Sequence, residues 1–292
     1  MSLNISSDQT IIRLGGVPEH FNMPWIYAIE NNLFEKEGIS VEWTDYPAGT
    51  GAMVKDLRSD ILDGAVVLTE GMIADIINGN DCRIVKWHVT SPLVWGIHTG
   101  AGNELNDLSN IQGKKYAISR FGSGSHLMAF VDARQRNIEI QEEQFIVVNN
   151  LAGAEKSLSA NETDLFMWEK FMTKPLVDKG VFKRIGECPT PWPSFLIAFK
   201  KDFLAQNKEA IRKLLHVINS VTRNFKNQPD IINSIAKKYS LQPIDVAAWL
   251  NAVEWSSDNN MKEEEIQKVV NTLYELNIIK EKKSFEELVV KI

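Results

Sequence analysis

Short apolar runs alternate with amphipathic helical stretches over the first two thirds of this chain, and that alternation constrains the fold more than any other feature. Runs at residues 11–14, 39–43, 64–68, 83–87, 93–98, 115–118, 145–148, 164–167 and 194–199 read as strands. Helical spacing is expected at 24–37, 52–60, 71–78, 125–136, 152–159 and 169–178. Strands that take turns with helices signal an α/β domain with mainly parallel strands. From about Asp202 onward the pattern becomes helix after helix. Ile211, Leu214, Leu215, Ile218 and Val221 form one apolar face there; Ile231, Ile232 and Ile235, then Val246, Ala247 and Leu250, form others.

Residues 119–126, Ser-Arg-Phe-Gly-Ser-Gly-Ser-His, lie between the run at 115–118 and the helical pattern of Leu127, Met128, Phe130, Val131 and Ala133. A strand that feeds a Gly/Ser turn opening a helix leaves backbone N–H groups aimed at one spot, where the helix dipole adds partial positive charge. Such a turn suits a phosphate, sulfonate or carboxylate, and the hydroxyls of Ser123 and Ser125 complete it. Serine is also favoured as a plain helix cap. No Gly-Lys-Ser/Thr follows, so the turn is not a P-loop.

At 292 residues the chain has room for two domains. Its net charge of −6, with no basic block, argues against nucleic acid as a partner. No apolar run reaches the roughly 18 residues that a bilayer crossing needs. The first ten residues have neither a basic nor an apolar segment and are not a signal peptide. The chain as written therefore reads as cytoplasmic, or as periplasmic or a lipoprotein if a leader was trimmed. Cys82 and Cys188 lack metal-type spacing and read as two buried thiols. No metal or cofactor is implied.

With no Pro/Gly-rich linker, two α/β lobes would be joined through strand-like crossings near Val94–Gly96 and Pro193–Phe195. The expected division is residues 10–95 plus 196–292 for lobe 1, with the helical tail packed on it, and 96–195 for lobe 2. Hinged lobes of this kind close around a ligand in the cleft between them.

Several ordered segments resemble one family. They are Asn31-Asn32-Leu33-Phe34-Glu35-Lys36-Glu37-Gly38-Ile39-Ser40-Val41-Glu42, then Asp63-Gly64-Ala65-Val66, then Asn106-Asp107-Leu108 through Gly113-Lys114-Lys115 ahead of the Ser/Gly turn, then Asp164-Leu165-Phe166-Met167-Trp168-Glu169. Together, over roughly residues 10 to 230, they resemble the type II periplasmic-binding-protein fold. The branch is that of sulfonate-, nitrate- and thiamine-precursor-binding proteins, which includes the fungal thiamine-pyrimidine synthases. The resemblance implies two hinged lobes, a C-terminal helical extension and a small-molecule ligand, with a membrane permease as a further partner if a leader was trimmed.

By this resemblance, loops at the C-terminal ends of strands line the cleft. The first carries Pro18, His20 and Phe21, followed by Trp25. Trp25 would stack on a ring or, with Ile29 and Leu33 at helical spacing, lie in the core. Glu70 opens the next helix, as a ligand acceptor or as a cap. The Ser/Gly turn contributes Phe121, Ser123, Gly124, Ser125 and His126, the last biased towards neutral by the dipole. Trp168 and Glu169 form the fourth element, with Trp168 closing over the ligand in relatives. Trp95 at the crossing is a further candidate, and Trp192 would touch the rim. Aromatics with an anion cradle suit a compact anionic or heteroaromatic ligand, a thiamine-pyrimidine precursor or a sulfonate. Glu70 and Glu169 tilt the choice towards one bearing nitrogen.

The alternative is an enzyme of thiamine or pyrimidine-precursor metabolism acting in the same cleft. The synthases' chemistry, as the resemblance implies it, needs a lysine and histidine after the second strand motif and adjacent cysteines near the return crossing. This chain has Val67, Leu68 and Glu70 at the first place and only Cys188 at the second. Catalytic residues are therefore not assigned, and binding is favoured over catalysis.

Overall fold

The computed structural model describes residues 9–292. The leader reading rests on residues of which 1–8 lie outside that range. In chain order the elements are β1 (Thr10–Gly16), α1 (Met23–Glu30), β2 (Ile39–Asp45), α2 (Thr50–Arg58), β3 (Gly64–Leu68), α3 (Thr69–Ile77) and β4 (Cys82–Val89). Next come β5 (Val94–Gly100), β6 (Tyr116–Ile118), α4 (Gly124–Gln135), β7 (Phe145–Val147), α5 (Leu151–Ser159), β8 (Leu165–Glu169), α6 (Lys174–Asp178) and β9 (Phe182–Pro189). The last are β10 (Phe195–Lys200), α7 (Lys201–Gln206), α8 (Lys208–Asn224), α9 (Ile231–Tyr239), α10 (Pro243–Ala252), α11 (Glu263–Glu275) and α12 (Phe285–Leu288).

The chain divides into two compact units. Unit 1 comprises residues through Thr90 with Phe195–Ile231 and Glu254–Ile292; unit 2 comprises Ser91–Ser194 and Ile232–Val253. Residues 232–253 thus belong with the second unit, whereas the sequence assigns the whole tail to the first.

Each unit holds a five-stranded mixed sheet, ordered β2-β1-β3-β10-β4 in unit 1 and β7-β6-β8-β5-β9 in unit 2. The strand pairings split evenly, four parallel and four antiparallel, rather than being mainly parallel. The antiparallel ones all involve β10 or β5.

One device locks both sheets. Asp63, just before β3, accepts the Arg13 backbone N–H at 2.8 Å, and its own N–H donates to the Arg13 carbonyl at 2.9 Å. Asp164, just before β8, accepts the Lys115 N–H at 2.9 Å and donates back to the Lys115 carbonyl at 2.9 Å. A carboxylate that takes a neighbouring strand's amide fixes register where two parallel strands begin. Arg13 adds a two-pronged ion pair to Asp63.

β3 reads as a continuous apolar run because both its faces are covered: Ala65, Val66 and Val67 have no solvent exposure. In unit 2 Ala117, Ala154, Leu158, Phe166 and Phe182 form one buried cluster. α8 buries Ile211, Leu214, Leu215, Ile218 and Val221 along one face, as its spacing predicts. No helix among the described residues is long and apolar enough to cross a membrane.

Candidate functional site

The Ser/Gly turn of unit 2 joins β6 to α4. Ser123 is the N-cap of α4, and its Oγ accepts the His126 N–H at 3.4 Å. Gly124 and Ser125 occupy the first two helical positions, where backbone N–H groups have no intrahelical acceptor. Three hydroxyls gather beside them. Ser125 Oγ accepts the Ser119 N–H at 3.0 Å and lies 3.0 Å from Ser123 Oγ and 3.5 Å from Ser119 Oγ. Hydroxyl protons rotate freely, so this cluster can turn donors towards an acceptor presented to it.

His126, expected as a ligand contact, braces the turn through its ring. Its Nδ1 accepts the Gly122 N–H at 3.1 Å, which leaves the proton on Nε2. The ring packs edge-on against Phe121, Phe130 and Phe145, and burial lowers its pKa. A neutral imidazole thus pins the turn from within. Phe121 is 50 % exposed at the rim of the same turn. Arg120, which the sequence reading passes over, sits partly buried in it and brings a positive charge.

Strand pairing adds a donor on the same sheet. Trp95 on β5 is paired directly with Glu169 on β8 and Cys188 on β9, so the three share one face. That face is covered by α4, whose buried Asp132 lies near Cys188. The Trp95 Nε1–H is buried and has no hydrogen-bond partner among the described residues.

Two other expected residues of unit 2 take structural contacts. Trp168, expected to close over a ligand, lies on the opposite face, because successive strand residues alternate. It stacks on Phe166 at 5.4 Å and packs against the cluster of Ala154, Leu158 and Phe182. Glu169 is buried, and its Oε2 accepts the Phe171 and Met172 N–H groups at 2.9 and 2.7 Å. Through Oε2 it secures the turn after β8.

In unit 1 the loop after β1 carries half-buried Pro18 and Glu19, then a 3-10 turn of buried His20, Phe21 and Asn22. The Phe21 ring lies 4.7 Å from His20 and 5.0 Å from Phe195. The Phe21 carbonyl accepts from His88 Nε2 at 3.0 Å and Trp255 Nε1 at 2.9 Å, which anchors the loop to β4 and to the 254–256 segment. Trp25 takes the core position that its helical spacing allows: it has no exposed surface and stacks on Phe34 and Trp43. Glu70 is buried in the first turn of α3, beside the strand that pairs with β1.

An open depression of about 520 Å³ in unit 2, lined by Asn103, Glu104, Lys114, Asn161 and Asp164 among others, contains none of the expected residues. It lies where β6 begins, whereas the Ser/Gly turn lies where β6 ends. Among the described residues no group of three His, Cys, Asp or Glu side chains is placed to hold a metal ion.

Residues 95–188, which span the Ser/Gly turn and Trp95, match the family model described as Ca3427-like PBP. The Candida albicans CA3427 gene product, described as exhibiting the generic periplasmic binding protein structural fold, superposes with a TM-score of 0.90. It is 28 % identical, over 96 % of each chain. The chain has the fold of the type II periplasmic binding proteins. Two further structures share this fold at low identity. The alkanesulfonate-binding protein SsuA from Xanthomonas axonopodis pv. citri, bound to MOPS, has a TM-score of 0.83 at 13 % identity, over 98 % of this chain and 100 % of its own. The periplasmic aliphatic sulphonate binding protein SsuA from Escherichia coli has a TM-score of 0.75 at 17 % identity, over 97 % of this chain and 98 % of its own. No curated protein sequence matches the chain significantly.

Glu19 is the residue of this periplasmic-binding-protein-like chain that sequence reasoning missed in unit 1. Burial pushes its carboxyl up to about 7 and holds the neighbouring His20 down to about 3. Nothing local signals this, since the shifts come from what the fold packs around the loop.

Proposed function

We propose that the chain binds a small anionic or heteroaromatic molecule, a sulfonate or an acid-bearing ring of the thiamine-pyrimidine-precursor kind, whose acid group sits at the turn of residues 119–125. The observation that carries this reading is the convergence of donors there: the first-turn N–H groups of Gly124 and Ser125 beside three clustered hydroxyls. The buried, unpartnered Trp95 Nε1–H supplies a further donor on the α4-covered face. The likeness to an alkanesulfonate-binding protein supports the same ligand chemistry. In a transport setting the second partner is a membrane permease.

The test is a thermal-shift screen of the full chain over sulfonates, phosphates, pyrimidines and vitamin precursors, repeated on Ser123→Asp. Aspartate is as good an N-cap as serine, so the variant keeps α4 while placing negative charge in the cradle. A ligand at a hundred times its Kd stabilises by about 2.7 kcal/mol. Acidic hits are expected to shift the wild type by several degrees and to lose that shift in Ser123→Asp. Acidic hits that stabilise both proteins equally would remove this turn from the site.

A further inference from the structure

Just ahead of the cradle, residues 120–123 make a tight turn of their own. The Ser123 N–H donates to the Arg120 carbonyl at 3.2 Å, and Gly122 has φ 74°. A four-residue turn with positive φ at its third residue is of type II, and glycine is favoured there because a side chain would be strained. Phe121 is therefore the corner residue, two positions before Ser123, and its ring stands half exposed.

His126 holds that corner in two ways. Its Nδ1 accepts the Gly122 N–H at 3.1 Å, and its ring meets the Phe121 ring edge-to-face at 5.3 Å and 78°. The imidazole is itself wedged, 4.5 Å from the Phe145 ring and 5.1 Å from the Phe130 ring, which lie 5.1 Å from each other. The Gly122 bond needs Nδ1 unprotonated. Burial, with no charged neighbour, lowers the His126 pKa; the groups packed around the ring are the three phenyl rings, and Arg120 is the charged residue of the turn. A lone exposed phenylalanine is ordinary on a surface. One whose direction is fixed by a buried histidine, beside an anion cradle, is a preformed apolar platform. Covering it removes apolar surface from water without the cost of ordering the ring.

We propose that Phe121 is the specificity-determining contact of the acid site and His126 its positioning residue, so that the chain selects acids whose carbon body next to the acid group is apolar. This rests on the reading of residues 119–125 as the acid-group site and names the part of the ligand that lies beside it.

The test is calorimetric titration of the full chain at pH 7.5 with acids of one headgroup and one charge: methanesulfonate against hexanesulfonate and benzenesulfonate, and methylphosphonate against phenylphosphonate. Apolar burial adds about tenfold for each ~60 Å² covered, so the best large acid is expected to bind about tenfold or more tighter than its methyl partner. Phe121→Ala and His126→Leu are each expected to cut that ratio to about threefold or less. His126→Asn, whose Oδ1 stands where Nδ1 does, is expected to keep the ratio above about threefold. Unliganded melting checks the fold of each variant. The bond itself is read by NMR without ligand: the Gly122 amide resonance of the wild type is expected to move upfield as pH falls below 6.5 and Nδ1 takes a proton. A wild-type ratio retained in Phe121→Ala or in His126→Leu, a His126→Asn no better than His126→Leu, or a Gly122 resonance that ignores the protonation of His126 would overturn this assignment. If the acids still bind and Ser123→Asp still abolishes that binding, the cradle stands. Failure of every acid to bind would remove the cradle, and this inference with it.

Discussion

At the scale of single residues, the buried histidines set how the protein answers acid. Burial holds His20 and His88 down to about 3 and His98 to about 4. Between pH 6.5 and those values the unfolded chain takes up protons that the folded chain refuses, so stability falls as pH drops, by about 1.4 kcal/mol per pH unit for each histidine. Glu19 acts in the opposite sense. Its folded carboxyl keeps a proton up to about 7, whereas the unfolded one loses it near 4.5, so its contribution is full at low pH and is lost as pH rises through that window. Urea unfolding at pH 7.5, 6 and 5 is expected to show a falling midpoint. Glu19→Gln is expected to raise stability at pH 7.5 and to steepen the fall. A midpoint flat from pH 7.5 to 5 in both proteins would show that these histidines titrate as if exposed.

The same scale shows what was legible beforehand. The Ser123 cap and a neutral His126 follow from local chemistry, and the structure has both. Trp25 fits a ligand wall and a core equally well by spacing, and only packing against Phe34 and Trp43 decides for the core. The states of Glu19 and Lys86 are invisible locally. Lys86 lies fully buried on β4, bonded to Asn219 and the Ser256 carbonyl, and burial lowers it to about 7.

At the scale of elements, β9 escaped the sequence reading because it is an edge strand. Only Phe182 and Cys188 along it are buried, so the alternation that marks half-buried strands is missing. The helix expected over 24–37 ends at Glu30, since Asn32 adopts φ 53°, a left-handed turn that asparagine tolerates. Close approach is the other constraint that sequence hides. A Cβ at Gly153, in the first turn of α5, would run into the Val148 carbonyl oxygen, whereas one at Gly102 meets nothing within 4 Å. Gly153→Ala is expected to destabilise by about 1–3 kcal/mol in urea unfolding, as an overpacked site does. Gly102→Ala is expected to stay within about 0.5 kcal/mol. Equal effects of the two substitutions would mean that α5 starts elsewhere.

At the scale of the whole molecule, the two-unit architecture was read from the chain length, the lack of a Pro/Gly-rich linker and the family resemblance, whereas the repeated strand, Asp and helix-opening loop are visible in the structure. Asp63 and Asp164 stand at matching places and take the amides of Arg13 and Lys115. The assignment of residues 232–253 was not readable, because a helix shows its apolar face and not the unit that covers it.

The most direct measurement is an amide-resolved NMR titration of the isotope-labelled full chain with the tightest acidic ligand from the screen. Saturating shifts are expected to be largest at the Gly124 and Ser125 N–H resonances, moving downfield as those donors engage an oxyanion. Saturation with both resonances unmoved, and the largest changes in residues 102–114 around the open depression, would contradict an anion site at the head of α4.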